Sequence, residues 1–278
     1  MSTVLETIDG GTRYLEKRGI EDARRNMQML VAKQLGCTRM DLYLQFDRPL
    51  MEGDLAPLRE SLKKRGEGIP LQHLLGQVFF HRNEFICDSR GLIPRPETEE
   101  LVEWILRWDL PEKLDVLDVG CGSGVLGLSL AAARPEWQVT LADISEDALA
   151  LTGENAAALE LKNATIVHSD LFSNITGTFG GIVANLPYVP ETERPTLTAE
   201  VMHDPALALF GGPDGLDVIR RFIPEAYQHL KPGGWLVLEI GHDQASQVAG
   251  FLEKSGFSRI EVKNDLSGIP RFPLAWRD

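Results

Sequence analysis

Two short runs in this chain carry residue types that could do chemistry. They are Gly120-Cys121-Gly122-Ser123-Gly124 and, further on, Asn185-Leu186-Pro187-Tyr188. The glycines let a backbone turn sharply and approach a ligand closely, and the loop follows the apolar stretch Val116-Leu117-Asp118-Val119. A dinucleotide site would have a glycine where this chain has Val125, so the spacing favours a nucleoside ligand without a pyrophosphate. The second run suits the placing of a methyl group on a planar amide or amino nitrogen. Such a nitrogen is a poor nucleophile because its lone pair is delocalised. An enzyme must hold both N–H groups with acceptors and aim the remaining lobe at the donor carbon. Asn185 Oδ1, the carbonyl of Leu186 and the ring of Tyr188 would supply that set, with Pro187 fixing the chain between them. A plain turn is the competing reading, since Asn and Pro both favour turns.

Two acidic residues extend the first site. Asp143 ends the strand after the glycine loop, where a carboxylate can accept both hydroxyls of a ribose, although it could equally cap a helix. Asp170 could accept from the exocyclic amine of adenine, with Leu171 and Phe172 as an apolar face. Ser169-Asp170 could instead cap a helical turn.

The elements that must position these residues are legible as periodicities. From Asp115 onward, apolar strands alternate with helices. Strands are expected at 115–119, 138–142, 165–168, 181–184, 235–240, 258–263 and 272–276, and helices at 125–133, 146–160, 216–230 and 244–255. Such alternation predicts an α/β fold with a mostly parallel, doubly wound sheet. The connection 264–271 is too short for a helical crossover, so the last two strands should be antiparallel neighbours.

Upstream, Thr3-Val4-Leu5-Glu6 fits a capping box, and Ala23, Met27, Leu30, Val31 and Leu35 recur at helical spacing. Thr38 caps a short helix through Leu44, and Leu55, Leu58 and Leu62 mark another. Four small amphipathic helices must bury their stripes against one another, which predicts a helical domain over 1–73. A hairpin linker follows over 74–93, built on Gln77–Phe80 and Glu84–Cys87, and the sheet domain occupies 94–278. Pro96 opens a helix carrying Leu101, Val102, Ile105 and Leu106.

Composition narrows the partners. The formal charge of −13 over 278 residues opposes broad affinity for nucleic acid, which rests on neutralising phosphates. It suits a basic protein partner. The three cysteines, Cys37, Cys87 and Cys121, lack metal-ligand spacing, so no metal is expected and reduced thiols are. The first residues show no basic region followed by an apolar core, and no apolar run could span a bilayer. A cytoplasmic, monomeric protein is expected.

With these runs in place, the chain resembles the class I S-adenosylmethionine-dependent methyltransferases. More narrowly it resembles the HemK/PrmC family, which methylates the side-chain amide of a glutamine in peptide-chain release factors. The resemblance spans nearly the whole chain. Its more specific parts are Leu92-Ile93-Pro94-Arg95-Pro96-Glu97-Thr98-Glu99 and Gly211-Gly212-Pro213-Asp214-Gly215-Leu216, beside Leu238-Glu239-Ile240-Gly241. It implies a Rossmann-like seven-stranded class I methyltransferase sheet, S-adenosyl-L-methionine as cofactor, and release factors methylated in their Gly-Gly-Gln motif. One glutamine loop offers little contact area beside a standard protein interface, so the helical domain is expected to dock the factor; shielding part of the sheet is the competing reading. The family pattern is Asn-Pro-Pro-Tyr, and Leu186 departs from it. Leucine keeps the backbone carbonyl but gives up a fixed φ, worth roughly 0.4–1 kcal/mol of pre-organisation. Asp204 stands where the family tends to have Glu. Two rivals remain at this point: a methyltransferase acting on exocyclic amines of nucleic acid, and a non-catalytic adaptor that only binds the cofactor.

Overall fold

The computed structural model describes residues 2–278, which form two units. One comprises the residues up to Gln77 together with Thr198–His203, and the other Val78–Leu197 with Asp204–Asp278.

In the first unit, α1 (Val4–Glu16) opens on the expected capping box. The Thr3 hydroxyl accepts from Glu6 N–H, and the Glu6 carboxylate accepts from Thr3 N–H. α2 (Ala23–Leu35) crosses α1 so closely that a β-carbon on Gly11 would lie 2.3 Å from Met27 Sδ. Thr38 Oγ1 accepts from Asp41 N–H at 3.2 Å, but the expected cap position is taken by Met40, and Asp41–Leu44 is a 3₁₀ turn rather than an α-helix. α3 (Glu52–Gly66) and the short α4 (Leu71–Leu75) complete the unit. Val4, Ile8, Met27, Leu30, Val31, Leu42 and Leu58 share one core, so each helix buries only one stripe.

The segment Thr198–His203 belongs to this unit although it lies far along the chain. Its anchor is Arg65, whose side chain is 3% exposed. Arg65 Nε donates to Asn26 Oδ1 at 2.6 Å, Nη1 donates to the Ile69 carbonyl at 3.1 Å, and Nη2 pairs with Glu200.

The second unit starts with the hairpin β1 (Gln77–Phe80) and β2 (Asn83–Ile86), then α5 (Pro96–Leu106). There follow β3 (Asp115–Val119), α6 (Val125–Ala133), β4 (Gln138–Asp143), α7 (Glu146–Ala158), β5 (Ala164–His168) and β6 (Phe179–Asn185). After α8 (Ala206–Leu209) come α9 (Asp217–His229), β7 (Leu230–Glu239), α10 (Ala245–Lys254), β8 (Ser258–Asn264) and β9 (Pro270–Trp276). The seven strands beyond the hairpin form one sheet in the order β5-β4-β3-β6-β7-β9-β8. All neighbours are parallel except β9, which runs antiparallel to β7 and β8, as the short connection required.

Period-two alternation divides the strands between two cores. Leu117, Val119, Ile182, Ala184, Leu236 and Leu238 face one side, with Ile219 and Phe222 of α9 and Val248 and Leu252 of α10. Val116, Val139, Val183 and Val237 face the other, with Leu101 and Ile105 of α5 and Leu126 and Leu130 of α6. Both faces are covered, which is why the strands read as continuous apolar runs.

β7 begins at Leu230, earlier than expected, and Lys231–Gly234 bulge opposite Gly180 between two ladder pairs. The Lys-Pro-Gly-Gly sequence reads as a turn and conceals the earlier start. The 3₁₀ turns Glu191–Thr196 and Val201–His203 and the four-residue α8 were also not anticipated, being too short to show a period.

Arg65→Met should keep the aliphatic stem but orphan the Asn26 and Ile69 oxygens, at a cost of about 1–3 kcal/mol. Hydrogen exchange should show faster opening in 198–203 and in the loop after α3, with the sheet unaffected. Unchanged protection in both segments would contradict the anchoring role.

Candidate active site

The sheet order places the site. From β3 the chain winds outward through β4 and β5, then returns to the other side of β3 as β6. The two strands pair in parallel with Val119 opposite Ala184, so their carboxyl ends emerge side by side at the switch in strand order. Open α/β sheets bind ligands at such a crevice. Here it holds a cavity of about 240 Å³ lined by both candidate runs.

On one side lie Gly120, Cys121, Gly122 and Ser123. Gly120 has φ +70°, and a β-carbon there would fall 2.8 Å from Leu186 Cδ2, so glycine is required twice over. Gly124 does not line the cavity. At φ +82° it starts α6, and a β-carbon would press on Leu128 and Thr152, so it serves helix–sheet packing. The Cys121 thiol is buried within 3.7 Å of the Thr152 hydroxyl, and burial pushes its pKa well up, leaving an inert thiol.

Asp143 lines the cavity from the end of β4. Its Oδ2 accepts from Gly122 N–H at 2.8 Å and its Oδ1 from Ser145 N–H at 2.9 Å, so the carboxylate braces the glycine loop. Each oxygen keeps capacity for a further donor. Ser145, rather than Asp143, caps α7. Asp170 and Leu171 also line the cavity, and Asp170 is held by Arg221 at 2.9 Å. Leu171 sits at φ +49°, unusual for a leucine, in a turn where the Ser169 hydroxyl donates to its carbonyl. Phe172 points elsewhere. It stacks on Phe222 and His229 in the core below the sheet and does not line the cavity, because the αL residue before it turns the chain over.

Asn185, Leu186 and Pro187 form the opposite wall. Asn185 Nδ2 donates to Thr98 Oγ1 at 3.1 Å, while its Oδ1 accepts no hydrogen bond from the described residues. Leu186 is 3% exposed and packs in the core beside Gly120. The Tyr188 ring lies outside the cavity lining. Its hydroxyl is 3.5 Å from Glu239 Oε1, and its carbonyl accepts from Gln244 Nε2 at 2.9 Å. Burial, reinforced by the Glu239 charge, holds its phenol far above the ordinary pKa, so Tyr188 remains a hydrogen-bond donor.

Three buried polar groups were not singled out as site residues in the sequence. Asp118 lines the cavity, is 1% exposed and accepts from Gly127 N–H at 2.8 Å. Burial pushes its carboxyl up to about 7; the Gly127 N–H works against this and the Asp143 charge adds to it. Glu239 ends β7 and is likewise pushed up to about 7 by burial, opposed by the Thr98 hydroxyl and Arg271. Thr98 stands in the first turn of α5 with its hydroxyl 2.6 Å from Glu239 Oε2. A carboxylate inside an apolar strand, as in Val116-Leu117-Asp118-Val119 and Leu238-Glu239-Ile240, is the signal that could have found two of them. Arg95 lines the cavity as well, clamped to the buried Asp204 carboxylate at 2.5 Å, which also accepts from Ile93 N–H.

The donor set fits a cationic nucleoside. Three carboxylates, Asp118, Asp143 and Asp170, border the cavity, a positive-φ glycine loop admits close backbone approach, and Leu171 and Phe210 supply apolar wall.

The residue pattern agrees with known proteins. The PrmC N-terminal domain model matches residues 6–76 and the methyltransferase small domain model matches 101–213. A release factor glutamine methyltransferase from Deinococcus radiodurans is 39% identical over 98% of both chains. One from Geobacter sulfurreducens is 37% identical over 97% of this chain and 95% of its own. A methyltransferase structure from Pyrococcus furiosus shares the fold, with a TM-score of 0.53 at 19% identity over 69% of this chain and 87% of its own. With relatives this similar along nearly its full length, the chain belongs to the release factor glutamine methyltransferase family.

Proposed function

We propose that this protein transfers a methyl group from S-adenosylmethionine to the side-chain amide nitrogen of a glutamine in peptide-chain release factors, within their Gly-Gly-Gln motif. The observation that carries this reading is Asn185, set at the end of β6 with an uncommitted Oδ1 on the cavity that the glycine loop and Asp118 share. Full-length relatives named for that activity support it, and neither nucleic-acid methylation nor an adaptor role draws comparable support.

When bound, the cofactor supplies an activated methyl on a positively charged sulfur. The chain's part is to orient. Gly120, Cys121, Gly122 and Ser123 would hold it by close backbone approach, Asp143 would accept from its ribose, and Asp170 and Leu171 would meet the base. Asn185 Oδ1 and the Leu186 carbonyl would accept the two N–H groups of the substrate amide and stabilise the positive charge appearing on nitrogen. Pro187 fixes the exit of the chain from that wall. Tyr188, with its ring outside the cavity lining and its hydroxyl toward Glu239, would brace this wall from behind rather than receive the amide's proton. No strong base is required, since a protonated, methylated amide is acidic.

The helical unit would dock the intact factor, and its exposed Met40, Tyr43 and Leu44 offer an apolar contact. The net charge of −13 favours a basic protein surface over nucleic acid. We place the reaction in the cytoplasm, performed by a monomer. Among the described residues no helix is long and apolar enough to cross a membrane, and all three cysteines are free.

Incubation with radiolabelled cofactor should label an intact release factor but not its Gln→Ala version. An isolated Gly-Gly-Gln peptide should need far higher concentrations than the factor. Label on RNA or DNA with none on protein would refute the acceptor.

Asn185→Ala should cut turnover by about 10²-fold or more with cofactor affinity nearly kept, whereas Asp143→Ala should weaken cofactor binding first. Calorimetry beside turnover separates the two, and identical behaviour would overturn the division of roles.

Asp118 gives a pH signature. A bound cation favours its ionised form, so cofactor affinity should be full above pH 7 and fall about tenfold per unit below it. Asp118→Asn should flatten that slope. A slope that survives the substitution would place the titrating group elsewhere.

A further inference from the structure

Asn185 can bind a substrate amide only if its own amide faces the right way. Its oxygen must meet the acceptor N–H, yet oxygen and nitrogen ends are nearly the same shape. Something has to prevent a half-turn about the last side-chain bond, since Nδ2 at the cavity would present donors to donors.

We infer that Thr98 and Glu239 form a directional relay that fixes the Asn185 side chain with Oδ1 toward the acceptor, making both positioning residues for the methyl transfer; this rests on the function proposed above. The argument is one of hydrogen-bond polarity. An ionised carboxylate has no proton to give, so the 2.6 Å contact must be Thr98 donating to Glu239 Oε2. A hydroxyl has a single proton. Having spent it on Glu239, Thr98 Oγ1 can only accept from its other neighbour. That neighbour, at 3.1 Å, is therefore the Nδ2 of Asn185, and Oδ1 is left for the cavity. The donors around Glu239 maintain its accepting role. Tyr188 presents its hydroxyl to Oε1 at 3.5 Å. The positive Arg271 and the side-chain amide of Asn185 itself favour the ionised form, against burial and the charge of Glu97, so the carboxylate also draws the Nδ2 end of Asn185 toward itself directly.

Each member comes from a different element. Thr98 lies in the first turn of α5, Asn185 ends β6 and Glu239 ends β7, with Asn185 and Glu239 opposite each other in the parallel ladder. Thr98 and Glu239 are both nearly fully buried, at 3% and 1% exposure. An unrelieved carboxylate at that depth is costly, and Glu239 does not line the cavity, whereas Thr98 borders it beside Asn185.

The test uses the full chain at pH 8, above the value of about 7 to which burial pushes Glu239. Thr98→Val keeps the shape and removes the hydroxyl. It should lower kcat on the release factor by about tenfold or more while cofactor affinity by calorimetry stays within about twofold, and Thr98→Ser should recover turnover. On an Asn185→Ala background, Thr98→Val should cost nothing further, because no amide remains to be oriented. Additive losses in that double variant, or a Thr98→Val enzyme with normal kcat, would overturn the relay. A readout independent of substrate is the Asn185 side-chain amide in NMR. Its Nδ2 protons should be protected from exchange in the natural protein and in Thr98→Ser but exposed in Thr98→Val. If the natural protein leaves the release factor unlabelled while this pattern holds, the proposed substrate fails and the relay stands. If label is transferred and the pattern is absent, the relay fails and the substrate stands.

Discussion

The parallel pairing of β3 with β6 is the constraint on which the rest depends. Neither strand follows the other in sequence, and only the reversal of winding at β3 makes them neighbours. Once Val119 lies opposite Ala184, the glycine loop and Asn185 emerge at the same edge, one residue beyond the ladder on each strand. Apolar side chains on both faces then prevent slippage, since a one-residue shift would exchange the two cores. The site therefore needs little local rigidity of its own. Leu186 adds what there is, filling the space above Gly120 and joining the two walls through a leucine methyl group.

Much of this was legible in the sequence. The strands could be read because each is a nearly unbroken apolar run between polar punctuation, and the antiparallel last pair because its connection is too short for anything else. The glycine loop, Asp143, Asn185, Leu186 and Pro187 were readable as candidates because they follow strands whose carboxyl ends must meet at one edge of the sheet, not because their residue types are rare there. Phe172 and Tyr188 show the limit. Sequence places them next to residues that line the cavity, but the backbone at Leu171 and the hydrogen bond toward Glu239 direct their rings elsewhere. The direction of a side chain one position along a turn depends on φ, and nothing in composition reports it.

Asp118, Thr98 and Glu239 were less visible because their meaning is pairwise. A threonine in a first helical turn is ordinary, and so is an acid near a strand end. Their contacts bridge 141 positions in one case, and their burial follows from helices covering the sheet. Tertiary structure thus joins Thr98 and Glu239 into a pair of buried polar groups whose proton positions are interdependent, and buries Asp118 separately against Gly127.

The excursion of Thr198–His203 has a consequence for how such a protein could be assembled from parts. Genes that gain a domain by fusion usually do so at one junction, and the acquired piece remains a contiguous, portable module. Here six residues from deep within the catalytic half are folded into the helical unit and bound by its buried Arg65. Grafting residues up to Gln77 onto another methyltransferase would transfer a domain with a missing side, and deleting them would strand a segment whose partner has gone. A change at Arg65 is therefore felt at Glu200, two places far apart in the sequence.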